Sequence, residues 1–190
     1  MEITLVRHAK TLSNVSSTYM GSTDSPATAE GLNEAKQLRN VIDLPSFVDC
    51  FSSPLSRAHD TLIAIGPCTD IRLDDRLRER GLGVWEGMSK ADVRQEFPNA
   101  FSPSGVFDPT FVPPQGETLE AFSERITGFL NDAREYTNGP VLIVTHNGWI
   151  RTMRYLLGEI PREDIFVEDE PHLAPIDISV GRNVRIGAGV

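Results

Sequence analysis

Along this chain, short apolar runs alternate with longer segments whose apolar residues recur at helical spacing. Residues 2–7 bring Ile3, Leu5 and Val6 together and read as a buried strand. Residues 8–27 are rich in Ser, Thr, Gly and Asp and read as a loop. Thr28 opens a helix in which Leu32, Ala35, Leu38, Val41 and Ile42 fall on one side, and Pro45 lies just beyond it. Residues 47–52 form a second strand. Ser53-Pro54 opens the next helix, to about Ile65, with proline in its first turn and Gly66 after its end. A third strand is expected over 70–73. From Asp74 to Gly116 the pattern loses regularity. It holds a short helix at 89–97, and residues 98–114 carry five of the 13 prolines, which reads as a surface excursion. Periodicity returns at 117–136 with Leu119, Phe122, Ile126, Phe129 and Leu130. Residues 141–145 make the strongest buried strand, and 147–157 read as a helix. Residues 176–180 and 184–186 read as two strands around the turn-like Gly181-Arg182-Asn183.

Strands alternating with helices predict an α/β fold, a three-layer α/β/α sandwich around a mostly parallel sheet. One domain is expected over 1–190, with an irregular excursion at about 74–116. In such sheets, ligands bind beyond the carboxyl ends of the strands. Three of the loops expected at that edge begin with Arg7-His8, Ser52-Ser53-Pro54 and Thr145-His146.

Composition narrows the partners. The net charge of −9 argues against nucleic acid, whose binding relies on Lys and Arg neutralising phosphates, and against anionic membrane surfaces. No run approaches the roughly 18 apolar residues of a membrane span. The first apolar run is too brief for a signal peptide, so a cytoplasmic location is expected. The two cysteines make no disulfide framework. Cys50 reads as a small buried hydrophobe, and Cys68 follows Gly66-Pro67 in a turn.

His8 and His146 each directly follow an apolar strand. Arg57 sits in the first turns of the helix leaving a third strand end, and Glu79 lies in Leu77-Arg78-Glu79-Arg80. Singly, each has an ordinary structural reading; together they suit one task. A phosphoryl group in transfer spreads negative charge over its oxygens, so catalysis is mainly positioning and electrostatics. Arginine supplies planar, permanently charged donors, neutral imidazole can attack phosphorus, and a carboxylic acid can protonate a leaving oxygen. The four histidines, 8, 59, 146 and 172, have no His or Cys partner at metal-ligand spacing.

At these residues the sequence resembles the histidine phosphatase superfamily, also called phosphoglycerate mutase-like. The family's opening Arg-His-Gly-Glu-Thr and following Asn is similar to Arg7-His8-Ala9-Lys10-Thr11 with Asn14. Gly21 through Asp24, Pro26, Thr28 and Gly31 resembles its next stretch. Ser52 through Ala58 with Thr61 looks like the segment of the second arginine, and Leu77 through Gly87 like the acid-bearing segment. Pro113 through Thr118 is similar to Pro-Gly-Gly-Glu-Ser, and Val144 through Arg151 to the second-histidine motif. The matches run in family order over most of the chain. The resemblance implies His8 as nucleophile, with Arg7, Arg57 and His146 holding the phosphoryl group and Glu79 as proton donor and later base. It implies Asn14, Gly21 and Lys90 as further substrate-binding positions, a small phosphorylated substrate, and no metal or organic cofactor; Lys10, which departs from the family, adds positive charge at the mouth and is a further substrate-binding candidate.

Ala9, Gln115 and Asn147 stand where the family has glycine, and Lys10 where it has an acid; Asn tolerates left-handed backbone better than most residues. The mutase branch resembles a longer chain with an adjacent arginine pair between acid and second histidine. Here that interval holds only the separated Arg80, Arg94, Arg125 and Arg134, which favours hydrolysis, although Lys90 falls where mutases place a lysine. The alternatives are a phosphoglycerate-type mutase and a non-catalytic phosphate-binding module. His59 and His172 read as structural or exposed, Trp85 as core beside the site, and Glu163–Glu170 as a solvated face that leaves substrate choice or a homodimer contact open.

Overall fold

The computed structural model describes residues 1–66 and 70–181. Cys68, Arg182, Asn183 and the strand expected over 184–186 lie outside the described residues.

Strand β1 spans Glu2–Arg7. Helix α1 is the single turn Leu12–Val15, closed by a capping box in which Thr11 N donates to Asn14 Oδ1 and Asn14 N to Thr11 Oγ1. Helix α2, Ala29–Gln37, starts where expected, with Thr28 Oγ1 accepting from Gly31 N. It ends sooner than the apolar spacing predicts. Leu38–Asn40 tightens into a 3₁₀ turn that leaves Val41 74% exposed while Leu38 and Ile42 stay buried.

Strand β2 is Asp49–Ser52 and helix α3 is Ser56–Ile65. The helix begins beyond Pro54 rather than around it. Leu55 remains extended, and the Ser56 N–H is taken by Asp24 Oδ1 from a distant loop at 2.8 Å. Strand β3 is Ile71–Leu73, and helix α4 is Lys90–Glu96, capped by Ser89. Helix α5 is Leu119–Tyr136, capped by Thr118; strand β4 is Val141–Thr145; helix α6 is Asn147–Leu156; and strand β5 is Pro175–Ser179.

The five strands lie in the order β3-β2-β4-β1-β5. All neighbours are parallel except β5, which runs antiparallel along β1 with Ile176 opposite Leu5. Central β4 explains its own uniform sequence. Val141 and Ile143 pack with Phe122, Ile126 and Trp149 of α5 and α6, whereas Leu142 and Val144 pack with Ala35 and Leu62 of α2 and α3. A strand buried on both faces has no polar side to alternate with. The mostly parallel, helix-covered sheet of the sequence reading is therefore the sheet found.

Residues 98–114 lie largely at the surface, as their prolines suggest, but they are not a loose loop. They fold back over the sheet edge as a cap with a core of its own, in which Trp85 is packed with Leu82, Val93, Ala100 and Phe107. Arg80 fastens this segment from beneath. Its guanidinium, 1% exposed, donates to the carbonyls of Pro109, Phe111 and Glu117 at 2.9–3.0 Å. Buried arginine here satisfies backbone acceptors that no strand or helix serves. Among the described residues, no helix is long and apolar enough to cross a membrane.

Candidate active site

Parallel pairing sets the register of the site. Arg7 lies opposite Thr145, and the His8 N–H continues the ladder to the Thr145 carbonyl at 3.0 Å. His8 and His146 therefore leave adjacent strands side by side, with ring centroids 5.1 Å apart. The Ser53 N–H continues β2 to the Val144 carbonyl, and Ser53 Oγ meets His146 Nε2 at 2.8 Å. The first turn of α3 brings Arg57. It is 2% exposed and donates from Nη2 to the carbonyl of Gly21 and from Nη1 to that of Thr23.

His8 has the electronic state a nucleophile needs. Burial, and next the charge of Arg57, push its pKa well below 6.5, so the ring is neutral near pH 7. Nδ1 lies 2.7 Å from the Ala9 carbonyl, which can only accept. Nδ1 therefore carries the proton, and the lone pair is on Nε2. His146 is likewise lowered by burial first and then by Arg57 and His8. Its Nδ1, like Arg7 Nε, is buried without a partner among the described residues.

Glu79 faces the same space. Its Oε1 accepts from Arg80 N and its Oε2 from Gly148 N, each at 2.9 Å, which fixes the carboxyl plane and leaves each oxygen a further lone pair. The backbone bearing it is held by Arg125, which donates to the carbonyls of Arg76, Arg78 and Glu79 and grips Glu117 with two bonds. Glu117 in turn accepts from Gly81 N.

These side chains open onto a cavity of about 380 Å³ whose wall includes Arg7, His8, Asn14, Gly21, Arg57, Glu79 and Lys90. His146 sits behind His8 rather than on the wall. Asn14 spends its amide oxygen on Thr11. Gly21 has φ +51, and a side chain there would run into Glu86. Burial opposes ionisation of Glu86, but hydrogen bonds from Thr23, Leu82 and Ser22 outweigh it and hold its pKa below the usual carboxylate value. Lys90 Nζ stands 5.8 Å over the Tyr19 ring. Lys10 is exposed and does not line the cavity, and His59 is half-buried on α3, also off the wall. Among the described residues, no three His, Cys, Asp or Glu side chains converge as a metal's ligands would.

Two sequence readings change here. The acidic run 163–170 is a solvated face only in part, with Glu163, Glu168 and Asp169 exposed. Glu170 is 7% exposed and pairs with Arg151 and Arg154 at 3.2 and 2.8 Å, while Val167, Glu168 and Asp169 line the cavity. His172, read as structural or exposed, is half-buried, and its ring lies 5.3 Å from that of His8. Asn147 has no left-handed backbone to tolerate. It is the first residue of α6, and its amide ties down the acidic run, donating to Asp169 and accepting from Glu170 N. Of the other departures, Ala9 is fully buried without a positive φ, whereas Gln115 does adopt φ +63. Trp85 fills the cap core and does not line the cavity. Arg80, Arg125 and Asn147 had no signal beyond their proximity to motif residues.

The family model of the histidine phosphatase superfamily, branch 1, matches residues 3–174. The adenosylcobalamin/alpha-ribazole phosphatase of Escherichia coli (strain K12) is 29% identical over 186 residues, spanning 94% of this chain and 91% of that protein. Phosphoserine phosphatase 1 of Hydrogenobacter thermophilus is 31% identical over 157 residues, 80% of this chain and 74% of its own length. Among solved structures, a mycobacterial glucosyl-3-phosphoglycerate phosphatase in complex with VO3 superposes with a TM-score of 0.83 at 25% identity, covering 94% of this chain and 92% of that one.

Proposed function

The chain belongs to the histidine phosphatase superfamily, and from that premise we propose that it hydrolyses phosphate monoesters, without a metal, through a phosphohistidine on His8. The observation that carries this reading is the neutral His8, with its lone pair on Nε2, set among Arg7, Arg57 and Glu79 at one cavity. Nε2 attacks phosphorus, the ester P–O bond breaks, and the leaving oxygen takes its proton from Glu79. Positive charge then grows on the imidazole, and the Nδ1–H bond to the Ala9 carbonyl strengthens as it does. Water next attacks the phosphohistidine, gives a proton to Glu79, and releases inorganic phosphate and His8.

The far part of the cavity bears on the leaving group. About 380 Å³ lies in the range of drug-sized ligand sites, well beyond what a phosphoryl group fills. Tyr19, Phe101, Phe107 and Phe166 line it, favouring a leaving group with a flat apolar part over a small, highly polar one.

Turnover of p-nitrophenyl phosphate tests the reading. The wild-type protein should hydrolyse it with EDTA present, and His8→Ala should lose at least about 10⁴-fold in kcat while staying folded. Undiminished turnover in His8→Ala, or activity lost to EDTA and restored by a divalent ion, would overturn it. With 3-phosphoglycerate, free phosphate rather than a phosphate-shifted isomer should be the product.

A further inference from the structure

We propose that His172 is a positioning residue for the nucleophile: by donating to the His8 carbonyl it fixes the peptide that aims His8 Nε2 at phosphorus. This rests on His8 being the nucleophile.

The His8–Ala9 peptide is pinned at both ends. His172 Nδ1 lies 2.7 Å from the His8 carbonyl oxygen, so Nδ1 is the donor. On the opposite side, Ala9 N donates to Thr61 Oγ1 at 2.9 Å. The next carbonyl along, that of Ala9, is the acceptor that orients the His8 ring through Nδ1. A tilt of the pinned peptide would therefore carry the ring's own anchor with it, and the His172 ring packs edge-on against it at 64°.

The neighbours of His172 grip Arg7, the residue before the nucleophile. Arg7 Nη1 donates to the Glu170 carbonyl at 2.6 Å, and Leu173 N donates to the Arg7 carbonyl at 3.1 Å. Leu173 holds φ +58, a left-handed conformation that a leucine keeps only where its surroundings over-determine it. The surroundings do so. Glu170 is tied to Arg151, Arg154 and Asn147 on the other side, which makes segment 170–173 a braced support rather than a loose loop.

The protonation state fits. Burial, and next the charge of Arg7, hold the His172 pKa down to about 4. Near pH 7 it offers a neutral donor, not a second positive charge competing with the imidazolium that forms on His8.

The test is steady-state and single-turnover kinetics on His172→Ala, His172→Leu and His172→Asn, with p-nitrophenyl phosphate and thermal melts alongside. Loss of alignment predicts a kcat about 10- to 100-fold lower in the Ala and Leu variants, in the phosphohistidine-forming step, with KM within about twofold. His172→Asn, whose amide can donate to the same carbonyl, should recover most of the rate. Wild-type kcat in the Ala variant would overturn the proposal, as would a loss expressed in KM alone, or an Asn variant as slow as Leu. If His8→Ala itself retains turnover, the nucleophile reading has failed. If His8→Ala is inactive and His172→Ala is not impaired, only the positioning role has failed.

Discussion

At the edge of the sheet, His8, His146 and Ser53 take their places from a backbone ladder that simply runs on past the last strand residues. The cap, residues 74–116, has almost no ladder. Its backbone carbonyls are met by buried arginine, Arg80 from one side, and its cohesion comes from aromatic rings around Trp85. One region is fixed by main-chain geometry that many sequences satisfy; the other depends on particular side chains. On the function proposed above, a phosphoryl group would meet the first and its leaving group the second. Chemistry and substrate choice thus rest on parts of the molecule that respond to mutation in different ways.

Substitutions on either side can break that division. Glu79→Gln, at the seam, should have the largest effect, lowering kcat by about 10² to 10⁴-fold for poor leaving groups and less for p-nitrophenol. Equal slowing across leaving groups would remove Glu79 from the acid role. Trp85→Ala should cost the cap about 3–5 kcal/mol. Hydrogen exchange should then show residues 98–111 opening while β1 and β4 stay protected; a single cooperative loss of both would erase the distinction between the regions.

Between pH 7.5 and 5, above the carboxylate range, acid should act through the sheet edge. His8 and His146 are 5% and 0% exposed, with pKa values pushed well below 6.5 by burial. The unfolded chain takes up their protons as pH falls below about 6.5 while the folded chain does not. Stability therefore falls with pH, by at most about 1.4 kcal/mol per pH unit for each ring. The cap carries no histidine. Melts between pH 7.5 and 5 should follow this slope, and a flat profile would contradict the buried neutral pair. The smallest effect is expected from Phe166→Ala, which removes the ring stacked 4.9 Å from Phe107. It should raise KM about tenfold for an aryl phosphate and leave a small alkyl phosphate unchanged.

The same contrast decides what the sequence discloses. Residues 141–145 are legible because burial on both faces makes them a continuous apolar run, residues 2–7 because Ile3, Leu5 and Val6 are buried together, and His8 and His146 follow directly. Glu79 and Arg57 were reached through local motif order. The core of the cap is not legible because proline counts report local chain stiffness, whereas its fold depends on Arg80 reaching carbonyls 29 and 31 residues away. The bond from His172 to the His8 carbonyl is hidden for the same reason at greater range, the two lying 164 residues apart. No periodicity encodes a single contact of that kind.

The strand order also fixes when activity can arise. β1, which leads into His8, precedes the other described strands in the chain, yet its two neighbours in the sheet, β4 and β5, follow all the others. Helices α2 and α3 with β2 and β3 can gather early around contacts close in sequence, but β1 must wait for most of the chain. A polypeptide interrupted anywhere ahead of β4 holds His8 with neither a strand beside it nor His146 behind it. Breakage during synthesis, or proteolytic nicking with loss of β4 and β5, therefore leaves the cavity unassembled rather than releasing a fragment that contains it.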